Sequence, residues 1–113
     1  MDAQLKRGLL DVCVLTVLNR GESYGYRLAR DVGEMIEVSE STLYPILKRL
    51  EAGGLVTVRS AEHNGRLRKY YRITGAGLER IRSFLGEWHE VMRVLNTIER
   101  EVCNDDKQTG IPE

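Results

Sequence analysis

The chain has 113 residues, 42% hydrophobic and 30% charged, which fits one folded domain with an ordinary core and excludes a disordered polar segment. Its longest apolar run, Val12 to Leu18 interrupted by Thr16, is far too short to span a membrane, and the Met1-Asp2-Ala3-Gln4 start lacks a basic secretion signal, so a cytoplasmic location with no membrane association is expected. Net charge is zero, but residues 1–75 hold 12 Lys/Arg against 9 Asp/Glu and residues 76–113 hold 5 against 8, with Arg59, Arg66, Arg68, Lys69 and Arg72 gathered in one short stretch.

In chain order, Leu5 to Leu18 is apolar almost all round, as in a helix sandwiched between two partners, and Gly21 stops it. A second helix follows, with Ser23 as expected N-cap, Tyr24, Leu28 and Val32 at helical spacing, and Gly33 at its end. The third helix carries Leu43, Ile46, Leu47 and Leu50 as its apolar stripe. Ser39 or Ser41 can cap it, Pro45 is tolerable only near its first turn, and Gly53-Gly54 ends it.

The hydrophobic period then changes from 3.6 to 2. Val56 and Val58 alternate with Thr57 and Arg59, and Tyr71 and Ile73 with Tyr70 and Arg72, on either side of an Asn64-Gly65 turn signal. A hairpin of residues 55–60 and 68–73 is expected, with 61–67 as an exposed loop. From Thr74, a residue type suited to capping, a helix is expected to about Val102. Leu78, Ile81, Leu85, Trp88, Met92, Leu95 and Val102 fall at heptad a and d positions, broken at Glu99, with Phe84, Val91 and Ile98 as a second stripe. A helix of about 29 residues, roughly 43 Å long, offers more apolar surface than one small domain covers, so a homodimer through this helix and the first helix is expected. The expected boundaries are residues 1–73 for the domain of three helices and a hairpin, 74–103 for the dimerisation helix and 104–113 for a disordered tail.

The fold class is mainly α (α+β): a winged helix-turn-helix domain with a long C-terminal helix. Such a fold offers its third helix to the DNA major groove, which points to double-stranded DNA as partner. Ser41, Thr42 and Tyr44, with Lys48 a turn later, supply hydroxyl and ammonium groups for bases and phosphates; Ser39 lies beside them, and Arg66, Arg68 and Lys69 form a basic wing tip. Cys13 and Cys103 make no Cys-x-x-Cys pair, His63 and His89 add no ligand cluster, and no nucleophile motif or phosphate loop occurs. No enzyme, metal or cofactor is expected. The rival reading is a winged-helix protein-interaction module that does not bind DNA; it calls for a neutral or acidic wing, which the basic tip opposes.

Over about residues 5–102 the chain resembles the PadR family of bacterial transcriptional regulators. The resemblance rests on Ser23-Tyr24-Gly25-Tyr26-Arg27-Leu28, on Ser41-Thr42-Leu43-Tyr44-Pro45-Ile46-Leu47-Lys48-Arg49-Leu50-Glu51, on Gly54-Leu55-Val56, and on Arg68-Lys69-Tyr70-Tyr71-Arg72-Ile73-Thr74 with Gly77 following. It implies a DNA-backbone contact from Tyr24, recognition by Ser41, Thr42, Tyr44 and Lys48, and wing contacts from Arg66, Arg68 and Lys69. The single C-terminal helix is similar to the family's short subgroup, whose multidrug-sensing members stack planar ligands on a tryptophan matching Trp88. A small planar aromatic effector would then meet Trp88, Leu85 and Met92, with Leu9 or Val12 as the opposite wall. Trp88 as a packing residue of the dimer seam is the other reading, and the effector's identity does not carry over. The mechanism expected is repression by occupancy of a pseudo-palindromic operator.

Overall fold

The computed structural model describes residues 1–109, with side chains described to Cys103. Its elements are α1 (Ala3–Leu18), β1 (Ser23–Tyr24), α2 (Gly25–Gly33), α3 (Glu40–Ala52), β2 (Val56–His63), β3 (Arg66–Ile73) and α4 (Gly75–Thr109). Two compact units result, Met1–Arg82 and Ser83 onward, and the division between them falls inside the long helix.

In the first unit, Leu10, Val14, Leu15, Val17 and Leu18 of α1, Leu28 and Val32 of α2, and Leu43, Ile46, Leu47 and Leu50 of α3 form one core with Leu55, Val56 and Tyr71. The apolar stripe expected on α3 is therefore the buried one. Only one side of α1 is buried; Leu5, Leu9, Val12 and Cys13 remain half-buried. Within the buried side, Asp11 is ion-paired to Arg49 of α3, which satisfies a carboxylate that would otherwise be costly to bury. Burial raises the pKa of the Cys13 thiol, keeping it protonated and chemically quiet.

The ends of α3 show why it starts and stops where it does. The Ser39 hydroxyl accepts a hydrogen bond from the Thr42 amide, one of the donors a helix start leaves unpaired. At the other end the Leu55 amide donates to the Leu50 carbonyl at 2.9 Å and the Gly54 amide to the Glu51 carbonyl at 3.0 Å. With Gly54 at φ +75°, this is a Schellman motif.

Two local expectations are corrected. Ser23 is not the cap of α2: it lies in β1, paired with Tyr71, and Tyr24 occupies the cap position without a side-chain capping bond. Residues 61–67 are not a loop, because the strands pair all the way to His63↔Arg66, and only Asn64 and Gly65 turn. Both have positive φ, 53° and 79°, as a type I′ turn requires, and its twist matches the strands it joins. The sheet order is β1-β3-β2, antiparallel throughout.

Thr74 caps α4: its hydroxyl accepts from the Gly77 amide at 3.1 Å and donates to the Gly54 carbonyl at 2.8 Å. A Cβ on Gly77 would collide with the Leu55 carbonyl oxygen, so only glycine lets the first turn of α4 approach this close. The helix continues to Thr109, past the expected end near Val102, because the first helix breakers after Gly86 are Gly110 and Pro112. Residues 104–109 of the expected disordered tail are thus helical in the backbone, and residues 110–113 lie outside the described residues. In the second unit Leu85, Met92, Leu95, Ile98 and Val102 are each about half exposed. Among the described residues no helix is long and apolar enough to cross a membrane.

Candidate nucleic-acid interface

A groove of about 580 Å³ opens between the start of α2, the first turns of α3 and the hairpin tip. Tyr24, Tyr26, Tyr44, Arg66, Arg68 and Lys69 border it. The packing that shapes it depends on Gly25, where a Cβ would lie 2.5 Å from the Tyr44 hydroxyl; any larger residue would displace that ring. The Tyr44 hydroxyl also reaches Glu40, donating at 3.4 Å. A second hollow of about 500 Å³ lies beside it, lined by Tyr44, Pro45, Lys48, Lys69 and Tyr71. Burial is the largest influence on Tyr71 and raises its pKa, so its hydroxyl stays neutral at the base of this hollow.

On α3, Ser41, Thr42, Tyr44 and Lys48 are exposed. Ser39, included among the DNA-contact candidates, is committed to the cap, and its hydroxyl also lies 3.0 Å from that of Ser41 and 3.1 Å from that of Thr42. The three hydroxyls therefore form one cluster at the helix start, where backbone amides and the helix dipole favour an anion.

On β3 the two-residue period directs Arg66 and Arg68 to one face and Lys69 to the face it shares with Tyr71. The wing cations are thus mounted on a paired strand. Arg68 is further constrained, its guanidinium lying 3.9 Å from the centre of the Tyr24 ring. Among the described residues, Arg66, Lys69 and Lys48 enter no ion pair and keep their charge available.

One residue bordering the groove was not among the expected DNA contacts, and one member of the basic stretch lies outside the groove. Tyr26 is 63% exposed and borders the same groove as Tyr24, two positions away. Arg59 stands over the Tyr70 ring at 4.7 Å and is held by Glu22. The effector candidates are spread over both units: Leu9 and Val12 are half-buried on α1, while in the second unit Trp88 is half-buried and Leu85 and Met92 are exposed. The aromatic neighbour of Trp88 is Phe84, with ring centroids 6.0 Å apart, one turn away at the i−4 position.

Helices followed by a basic, groove-forming hairpin define a winged helix-turn-helix protein. Residues 14–83 match the PadR-like family of transcriptional regulators, and the chain belongs to that family. It is a transcriptional regulator and not an enzyme. It is 39% identical over 73 residues to a transcriptional regulator of Mycobacterium tuberculosis, covering 65% of this chain and 62% of that protein. A PadR family regulator structure from Eggerthella lenta is 34% identical with a TM-score of 0.75, over 84% of this chain and 85% of that one. The structure of Bacillus subtilis PadR in complex with operator DNA is 27% identical with a TM-score of 0.64, over 68% of this chain and 46% of that one.

Proposed function

We propose that the protein binds double-stranded DNA as a homodimer and represses transcription by occupying a pseudo-palindromic operator. The observation that carries this reading is the groove itself: tyrosines from α2 and α3 and three wing cations converge on one concave surface beside the exposed start of α3. In this reading Ser41, Thr42 and Tyr44 face base edges, while Tyr24, Lys48, Arg66, Arg68 and Lys69 hold phosphates. The similarity to a PadR solved with operator DNA supports it.

Dimerisation is supported by the exposed apolar residues of α4, which in water favour burial against a second copy. Two copies related by a two-fold axis present two α3 helices, matching the two halves of a palindromic site. A planar aromatic effector at Trp88, flanked by Leu85 and Met92, would release the operator by altering the separation of those helices. Selection of bound duplexes from random DNA tests the function. An inverted repeat with a fixed half-site spacing is the expected outcome, and failure to enrich any sequence contradicts it.

A further inference from the structure

The sheet face opposite the core carries a continuous row of side chains, of which the DNA-contact assignment uses Tyr24 and Arg68 and leaves Tyr70 and Arg59 unexplained. Backbone register makes the row. Tyr24 of β1 and Arg59 of β2 both lie directly opposite Tyr70 of the central strand, and Arg68 is two residues from Tyr70 on the same strand face. Each side chain in the row touches the next. The Arg68 guanidinium lies 3.9 Å from the Tyr24 ring centre, Tyr24 meets Tyr70 edge-on at 5.9 Å and 73°, and Arg59 sits 4.7 Å from the Tyr70 ring. Glu22 closes the far end with two hydrogen bonds, accepting from Arg59 Nε at 2.7 Å and from Nη2 at 2.8 Å.

We propose that Glu22, Arg59 and Tyr70 are positioning residues for DNA binding, holding the Tyr24 ring, and through it the Arg68 guanidinium, at the edge of the groove. This inference rests on the DNA-binding reading above. Tyr24 needs such support. Its strand has only two residues and its side chain makes no capping bond, so the backbone alone leaves the ring free to rotate. The edge-on packing with Tyr70 removes that freedom, and the two-point grip of Glu22 fixes the planar guanidinium that backs Tyr70. An Arg68 already held over a fixed ring loses less conformational freedom when a phosphate arrives. The hydrogen bond from Arg59 holds the Glu22 carboxyl below its ordinary pKa, so the grip persists further into acid than a free carboxylate would.

Glu22 makes the proposal testable because two accounts differ in sign. If only net charge matters, Glu22→Gln removes a negative charge from a basic domain and frees Arg59, so DNA affinity rises and the salt slope steepens. If Glu22 acts through Arg59, Tyr70 and Tyr24, affinity falls although the domain becomes more positive. Fluorescence anisotropy on random-sequence duplex DNA, with the full chain, reads the difference. The expected result is a loss of roughly threefold to tenfold in Glu22→Gln at an unchanged salt slope. Tyr70→Leu should lose as much, while Tyr70→Phe, which keeps the ring, should bind like the parent. NMR of the DNA-free protein gives a second readout. Arg68 side-chain protons should be shielded by the Tyr24 ring in the parent and in Tyr70→Phe, and less so in Glu22→Gln and Tyr70→Leu. Glu22→Gln binding as tightly as the parent or tighter overturns the inference while leaving the DNA reading intact. A parent that binds no duplex overturns the DNA reading. In that event Arg68 resonances unchanged in Glu22→Gln would refute the row as well.

Discussion

The same residue types meet opposite fates in the two units. In Met1–Arg82, Leu15, Leu28, Leu43 and Leu47 are almost completely removed from solvent, whereas in the second unit Leu85, Leu95, Ile98 and Val102 are 47–55% exposed. Within the first unit three helices and a hairpin bury one another's apolar faces. The exposed stripe of α4 has no such cover from its own unit, and a heptad spacing is the form such a stripe takes when another helix completes it. Folding and assembly thus draw on separate sets of leucines, one serving the reading head and one the proposed dimer.

The largest effects should separate these sets. Leu47→Ala should destabilise the protomer by about 2–5 kcal/mol, a usual cost of a buried leucine cavity, measured by chemical denaturation. Leu95→Glu should instead convert the dimer to monomer in equilibrium sedimentation, because an unpaired carboxylate buried at a seam costs several kcal/mol. A Leu95→Glu protein that remains dimeric moves the interface away from this face of α4.

Much of this division is legible in the sequence. The α3 stripe and the heptad positions of α4 are long, periodic signals that local chemistry does not disturb, and Asn64-Gly65 marks the turn. The strands beside that turn are longer than their pattern suggests, because Glu62, His63 and Arg66 lack apolar alternation and backbone pairing extends through them regardless. β1 is invisible in the sequence because two residues carry no period, and its partners Tyr70 and Tyr71 are distant along the chain. At the candidate site the residue types are legible, but their division of labour is not. Ser39 and Ser41 are equally plausible caps by type, and only the Thr42 amide bond selects Ser39. The role of Arg59 depends on Glu22 and Tyr70, which only the sheet brings together.

A smaller effect is expected in the wing. Replacing Arg66, Arg68 and Lys69 together with Gln should weaken binding to specific and random duplexes alike and flatten the salt slope by about 0.9 for each phosphate that is no longer neutralised. Changes at Ser41 or Thr42 should alter sequence preference more than overall affinity, and competition between duplexes distinguishes the two patterns.

Smaller again is the contribution of Trp88 to ligand stacking, about 0.5–1.5 kcal/mol beyond buried area for each ring. Trp88 is the only tryptophan, so its fluorescence isolates the second unit. A planar aromatic ligand should quench it, and Trp88→Ala should keep the dimer and DNA binding while losing the ligand. A weakened dimer with lost DNA affinity would make Trp88 a seam residue.

The smallest effect is the pH dependence at Glu22. Its folded pKa is lowered, chiefly by the hydrogen bond from Arg59, so its stabilisation is present above the unfolded carboxylate value of about 4.3 and disappears as pH falls through the folded value. The Tm difference between the parent and Glu22→Gln should therefore close in acid. A difference independent of pH would contradict this origin, and added salt should shrink the effect because the pair is accessible to solvent.

The central claim is that the groove face binds nucleic acid through phosphates, and the salt dependence of duplex binding tests it most directly. Three or four phosphates neutralised per protomer give a log–log slope of about −5 to −7 for the dimer, near −0.9 per phosphate. A slope in that range supports the account, and a slope near zero would contradict it and favour a winged-helix module that binds protein instead.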